Sequence, residues 1–150
     1  MASFPMRVAI GSDHAGLRLR DTVKDRLVHH GIDVNDLGPQ EDTKVDYPDY
    51  AAKVCAEVIA GRAEVGVLVC GTCIGMSIAA NKVHGIRAAL CHTEFEARMA
   101  RRHNDANVLC LGERVTGDGL GEAIVDAFLE STFEGGRHAV RVDKVKALDR

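Results

Sequence analysis

The chain has 150 residues, 46% of them hydrophobic, which is enough for one ordinary domain with a sizeable core. With 19 Lys and Arg against 22 Asp and Glu, the net charge of −3 argues against a nucleic-acid binder that relies on positive charge. Aromatic residues are only 4%, without Trp, so base-stacking surfaces are poorly supplied.

Short apolar runs alternate with helical patterns. Arg7–Gly11 reads as a buried strand, followed by a helix over 16–30 that ends at Gly31. Ile32–Leu37 reads as a second, more polar strand. Ala51, Val54, Cys55, Val58 and Ile59 fall at i, i+3, i+4, i+7 and i+8, one stripe of a helix, with Pro48 suited to its first turn and Gly61 to its end. Val65–Cys70 is a continuous apolar run of the kind found in a covered parallel sheet. A helix over 74–84 ends at Gly85, and Ile86–Cys91 is the fourth strand. Thr93 and Glu96 form a capping-box pair for the next helix. Val108–Leu111 is the fifth strand, and Leu120, Ala123, Ile124, Ala127 and Phe128 repeat the helical stripe. The tail from Gly135 is rich in Arg and Lys with Val140, Val142, Val145 and Leu148 interspersed, which suits a final helix packed on a neighbour.

This alternation predicts an α/β three-layer sandwich over residues 1–150, a single domain with a Rossmann-like five-stranded parallel sheet covered on both faces. No apolar run approaches the ~20 residues of a membrane span. The opening Met1-Ala2-Ser3-Phe4-Pro5-Met6-Arg7 lacks a basic segment followed by a long apolar one, so no secretory signal is expected. Five cysteines, an odd number in mostly apolar surroundings, suit reduced thiols in the cytoplasm.

Ligands of open parallel sheets bind beyond the carboxyl ends of the strands. Those exits carry Ser12-Asp13-His14-Ala15-Gly16, Asp46-Tyr47, Cys70-Gly71-Thr72-Cys73-Ile74-Gly75, His92-Thr93 and Gly112-Glu113-Arg114. At Cys70–Gly75 a strand gives way to a helix between glycines. Backbone N–H groups there favour an anion, and the positive helix end is expected to lower a thiol pKa and supply a thiolate. A buried, inert Cys70 is the plainer alternative. Cys70 and Cys73 also form C-x-x-C, the pattern of a thiol oxidoreductase, but no proline follows Pro48 to face such a pair. No second C-x-x-C or H-x₃₋₅-H exists to complete a zinc site, and no metal is expected. His103-Asn104-Asp105 ends a helix, where histidine suits either the dipole or general acid–base work. His29, His30, His84 and His138 read as surface residues, and His92 is left open. Arg137 and Arg141, four apart, form a phosphate clamp or a solvated basic face. Neither G-x-G-x-x-G after the first strand nor a G-x-x-x-x-G-K-[ST] loop is present, so no nucleotide cofactor is expected.

Several motifs appear in order: Gly11-Ser12-Asp13-His14-Ala15-Gly16, Asp46-Tyr47-Pro48, Cys70-Gly71-Thr72, Ser77–Lys82, Gly85–Ala88, His103–Leu109 and Glu134–His138. Through them the chain resembles the type B ribose-5-phosphate isomerases, which share a family with galactose-6-phosphate isomerase subunits. The resemblance runs from about residue 7 to about residue 145. It implies a metal-independent, cofactor-free aldose–ketose isomerase of a sugar phosphate. It also implies a homodimer, sometimes paired into a tetramer, with active sites shared between subunits and the tail of about residues 135–150 on the partner. By position, Cys70 corresponds to the catalytic base and His103 to the ring-opening acid–base, with Thr72 and Asp13 assisting. Asp13, His14, Tyr47, Gly71, Thr72, Cys73, Ile74, Gly75, Asn104, Arg114, Arg137 and Arg141 correspond to substrate-contacting positions, the arginines chiefly for phosphate. A six-carbon sugar phosphate (of allose or galactose) is the alternative substrate. One departure stands out: the family loop places glycine where this chain has Cys73. Either the backbone tolerates L-residue angles there or the loop shifts, and a reversible Cys70–Cys73 disulfide becomes conceivable.

Overall fold

A computed structural model describes residues 4, 5 and 7–149. Met1, Ala2, Ser3, Met6 and Arg150 lie outside the described residues, so the reading of the opening segment rests on sequence. Five parallel strands form the sheet: β1 (Arg7–Ser12), β2 (Asp33–Asp36), β3 (Val65–Cys70), β4 (Ala88–Leu90) and β5 (Val108–Gly112). Their spatial order is β2-β1-β3-β5-β4. The helices are α1 (Leu17–His29), entered through a short 3₁₀ turn at His14–Gly16, α2 (Tyr47–Ile59), α3 (Ile74–Ala80), α4 (Glu94–Asn104), α5 (Asp118–Glu130) and α6 (Arg137–Lys146).

Strand side chains alternate between faces, and here both faces are covered. Val65, Val67, Val69, Leu109 and Leu111 share a core with Leu19, Val23 and Leu27 of α1, Ala97 and Ala100 of α4, and Ile124 and Phe128 of α5. Leu68, Cys70, Val108 and Cys110 face the other way, onto Ala51, Val54 and Cys55 of α2 and Met76 and Ala80 of α3. These are the three layers that the alternating pattern predicts.

The boundaries differ from the sequence reading for local reasons. Ile32 is drawn out of β2 because its N–H closes the end of α1 on the Leu27 carbonyl, while Gly31 supplies a φ of +77°. β4 is shorter than Ile86–Cys91. It is an edge strand, and the Asn81 amide takes both polar groups of Ala88, its Nδ2 donating to the Ala88 carbonyl and its Oδ1 accepting the Ala88 N–H. α3 stops at Ala80 rather than 84, and Lys82 and Val83 turn back in tighter bonds to Ala79 and Ala80. Leu120 is exposed, so the buried stripe of α5 runs through Gly121, Ile124, Val125, Ala127 and Phe128 instead.

The tail is helical as read. α6 lies against α4. It turns His138 and Val142 inward and leaves Val140, Val145 and Leu148 exposed. Two histidines read as surface residues are not. His138 is buried, and His30 is mostly enclosed, bonding through Nε2 to Asp126 at 2.8 Å.

Candidate active site

The strand order reverses direction between β1 and β3, and there the exits open a crevice. The Asp13 N–H donates to the Val69 carbonyl at 3.2 Å, which ties the end of β1 to the end of β3. Asp13 is buried, and its Oδ1 accepts the Ala15 N–H at 2.9 Å as the cap of the turn that follows. His14 Nδ1 accepts the Val45 N–H at 3.2 Å, which leaves Nε2 as the protonated side of the neutral ring. Below them Arg20, also buried, donates through Nη1 to Ser12 Oγ and to the Pro39 carbonyl, pinning the β1 exit from beneath.

The Cys70–Gly75 loop lies beside this exit. Cys70 pairs with Gly112 across β3 and β5, and the Glu113 and Arg114 N–H groups donate to the Cys70 and Gly71 carbonyls. A Cβ on Gly112 would lie 2.8 Å from the Thr72 carbonyl oxygen, so this close passage requires glycine. The Arg114 side chain runs over Gly71, and the Tyr47 ring sits against Gly75, where a Cβ would approach its hydroxyl to 2.6 Å. The Thr72 hydroxyl accepts the Ile74 N–H at 3.2 Å and keeps its own proton to donate. Asp13, His14, Tyr47, Cys70, Gly71, Thr72, Ile74, Gly75 and Arg114 are thus brought together by one chain.

Cys73 answers the question raised by its sequence. Its φ of 64° is the left-handed conformation that favours glycine. The side chain is fully buried and points inward, Sγ to the Leu68 carbonyl at 3.5 Å. Its N–H donates to Cys70 Sγ at 3.2 Å. That bond favours a thiolate, but other effects outweigh it. The neighbouring Cys73 thiol, then burial, then Asp13 hold the Cys70 thiol well above its ordinary pKa, opposite to the lowering expected from a helix start. The helix is only seven residues long.

The remaining candidates lie elsewhere. His103 and Asn104 end α4 on the entry side of the sheet, just before β5 begins at Val108, whereas Cys70 and Gly112 lie at its exit. A five-residue strand separates the two groups by on the order of 15 Å. His103, Asn104 and Arg141 line a cavity of about 640 Å³ with Arg87, His138 and Asp149. Arg137 and Arg141 are exposed on α6.

The sequence reading missed the side chains that hold His103. The His103 and His138 rings stack, with centroids 4.0 Å apart and planes 9° from parallel. Glu134 Oε1 lies 3.6 Å from Nε2 of each. The pairing of Glu134 with His138, four residues apart, was the available signal.

Among the described residues, His103, Glu134 and His138 are the one His/Cys/acid group whose ligand atoms cluster, all within 4.8 Å. Near-parallel stacked imidazoles direct their lone pairs side by side, so they do not converge on one ion without rotating. No helix among the described residues is long and apolar enough to cross a membrane.

The chain is thus a parallel α/β fold with a cysteine loop at its strand exits and a second set of acid–base and cationic groups at its entry edge. Residues 8–145 match the ribose/galactose isomerase family, and the chain belongs to that family. Ribose-5-phosphate isomerase B of Escherichia coli is 44% identical over 144 residues, 96% of this chain and 97% of the relative. The solved structure of Clostridium thermocellum ribose-5-phosphate isomerase B superposes with a TM-score of 0.94 at 50% identity, covering 95% of this chain and 97% of that one. The Mycoplasma genitalium isomerase B solved with bound ribulose 5-phosphate gives a TM-score of 0.89 at 44% identity, covering 94% of each chain.

Proposed function

We propose that this chain interconverts ribose 5-phosphate and ribulose 5-phosphate by proton transfer, without a metal or other cofactor. Its relatives along almost their whole length are named for that reaction. The observation that carries the mechanism is the Cys70 loop, with a thiol at a strand exit, a backbone N–H on its sulfur and Asp13, Thr72 and Arg114 around it.

His103 and Asp13 assist opening of the furanose ring. Against the raised thiol pKa the Cys73 N–H favours the thiolate; that form of Cys70 takes the proton from C2, and the C2–H electrons form the C1–C2 double bond of a cis-enediolate as the C1 carbonyl becomes an oxyanion. The Thr72 hydroxyl and the N–H groups of Gly71–Gly75 stabilise that charge, a single such donor being worth ~3 kcal/mol in other enzymes. The thiol returns its proton to C1. The O2 proton passes to the O1 oxyanion, which leaves the ketone at C2 and a hydroxyl at C1. Tyr47, Cys73, Ile74 and Asn104 shape the pocket, with Cys73 acting through its backbone. His14, Arg114, Arg137 and Arg141 hold the phosphate.

Because His103, Asn104, Arg137 and Arg141 lie across the sheet from Cys70, the working site combines two copies of this one-domain chain, in a homodimer or a pair of dimers in the cytoplasm. The inward Cys73 side chain adds no bulk to the loop's open face, which favours the five-carbon substrate over allose or galactose 6-phosphate. Its burial also disfavours a thiol oxidoreductase, which needs an accessible second thiol.

The test is isomerisation of ribose 5-phosphate by purified protein with reductant and EDTA. Activity is expected to survive EDTA and Cys73→Ser and to fall by at least about 10³-fold in Cys70→Ala. Near-normal turnover by Cys70→Ala overturns the cysteine base. Turnover of a six-carbon phosphate alone overturns the substrate.

A further inference from the structure

His103 does not stand alone at the end of α4. Glu134, in the connection from α5 to α6, is tethered to the residue before it: its N–H donates to the Arg102 carbonyl at 3.0 Å, and its Oε2 accepts Arg102 Nε at 2.8 Å. The tether fixes the other oxygen, Oε1, equidistant from the Nε2 atoms of His103 and His138 at 3.6 Å. His138 enters from the first turn of α6 and lays its ring flat on that of His103. It is buried, and its Nε2 has no hydrogen-bond partner among the described residues. An orphaned buried ring nitrogen is costly, and the flat His138 ring is held on His103 in spite of that cost.

Resting on the reading of His103 as the ring-opening acid–base, we propose that Glu134 and His138 are positioning residues for it. The carboxylate faces the Nε2 side of the His103 ring, and the His138 ring fixes its plane. Two imidazoles 4.0 Å apart resist carrying two charges, so the stack takes one proton at a time. Burial, the His103 ring, and Arg137 and Arg141 of the same helix push His138 below its ordinary pKa, only partly offset by Glu134. The other charged groups around the pair are Arg102 of α4, bound to Glu134, and Arg87 and Asp149 on the cavity wall.

Ring opening and proton transfer can be measured separately. Ribulose 5-phosphate is open-chain because its C5 oxygen is esterified, so exchange of its C1 proton with D₂O needs the Cys70 loop but not ring opening. Glu134→Gln and His138→Ala are expected to slow net isomerisation of ribose 5-phosphate at least about 10-fold, as part of the 10²–10⁴ that general acid–base catalysis supplies. Exchange at C1, followed by NMR, should change less than about two-fold. His138→Phe, which keeps a flat ring and no charge, should recover most of the isomerisation lost in His138→Ala. The alkaline limb of the isomerisation pH profile should move to lower pH in Glu134→Gln, because a carboxylate favouring imidazolium is removed. Parallel loss of exchange and isomerisation, or unchanged isomerisation in Glu134→Gln and His138→Ala, overturns the proposal. Parent protein that neither isomerises nor exchanges refutes the isomerase reading itself. Glu134 is partly exposed, so its variant keeps the test valid if a His138 variant fails to fold.

Discussion

Cys73 shows how one side chain can occupy a glycine's place. A left-handed φ costs an L-residue roughly 1–2 kcal/mol, and glycine would remove that strain. Glycine would also give up the buried thiol and bring its own chain entropy of about 0.5–1 kcal/mol. These effects nearly cancel, so Cys73→Gly should change stability by no more than about 1 kcal/mol and retain activity, since the bond to Cys70 Sγ comes from the backbone. Cys73→Val should be destabilised by at least about 2 kcal/mol relative to Cys73→Gly, because a β-branched side chain is poorly tolerated at positive φ. Urea unfolding of the two variants decides the matter: equal midpoints would mean that the left-handed turn is not what position 73 demands. The same arrangement weighs against the C-x-x-C alternative. The C-x-x-C spacing is visible in sequence, but which way each thiol points is not. Cys110 and burial push the Cys73 thiol well up, as a core residue rather than a redox partner.

At the level of elements, α1 and α5 are joined by more than apolar contact. Arg26 Nε and Nη2 both donate to the Asp126 carboxylate, Nη2 at 2.6 Å, and His30 shares Oδ1. Burial opposes the charge on Asp126, yet the bonds from Arg26 and His30 outweigh it and hold the carboxyl below its ordinary pKa. A depressed carboxyl stabilises the fold above the unfolded value of about 3.9 and loses that contribution as pH falls through the folded value. Asp126→Asn should therefore cost about 1–2 kcal/mol at pH 7, measured by denaturant unfolding, and the gap to the parent should shrink below about pH 4. A gap that stays constant down to pH 3 would exclude a charge-based link. None of this cluster was legible in the chain. His30 and Asp126 are 96 residues apart. Hydrophobic period reports which face of each helix is buried but not which polar groups meet across two helices. Where the period was unbroken, as in Val65–Cys70 and the α2 stripe, elements were placed within a residue or two. β4 was overrun because Asn81, not a neighbouring strand, completes its edge.

For the whole molecule, half of the candidate site could be read from strand exits and half could not. The exits follow from topology alone, so Asp13, Tyr47, Cys70 and Arg114 came together by a general rule of parallel sheets. His103, Arg137 and Arg141 gather on the entry side, and only the resemblance to known isomerases attached them to the same chemistry. The separation has a quantitative consequence. In a two-fold dimer whose sites each draw Cys70 from one chain and His103 from the other, Cys70→Ala mixed with His103→Asn gives hybrids with one site doubly altered and one intact. Co-refolding equal amounts should restore roughly a quarter of parental isomerase activity, since half of the random dimers are hybrids with one working site of two. If each chain carried a complete site, every site in the mixture would hold one lesion and activity would stay at the level of the separate variants. Ribose 5-phosphate turnover before and after co-refolding thus tests whether the gap across the sheet is bridged by a second copy.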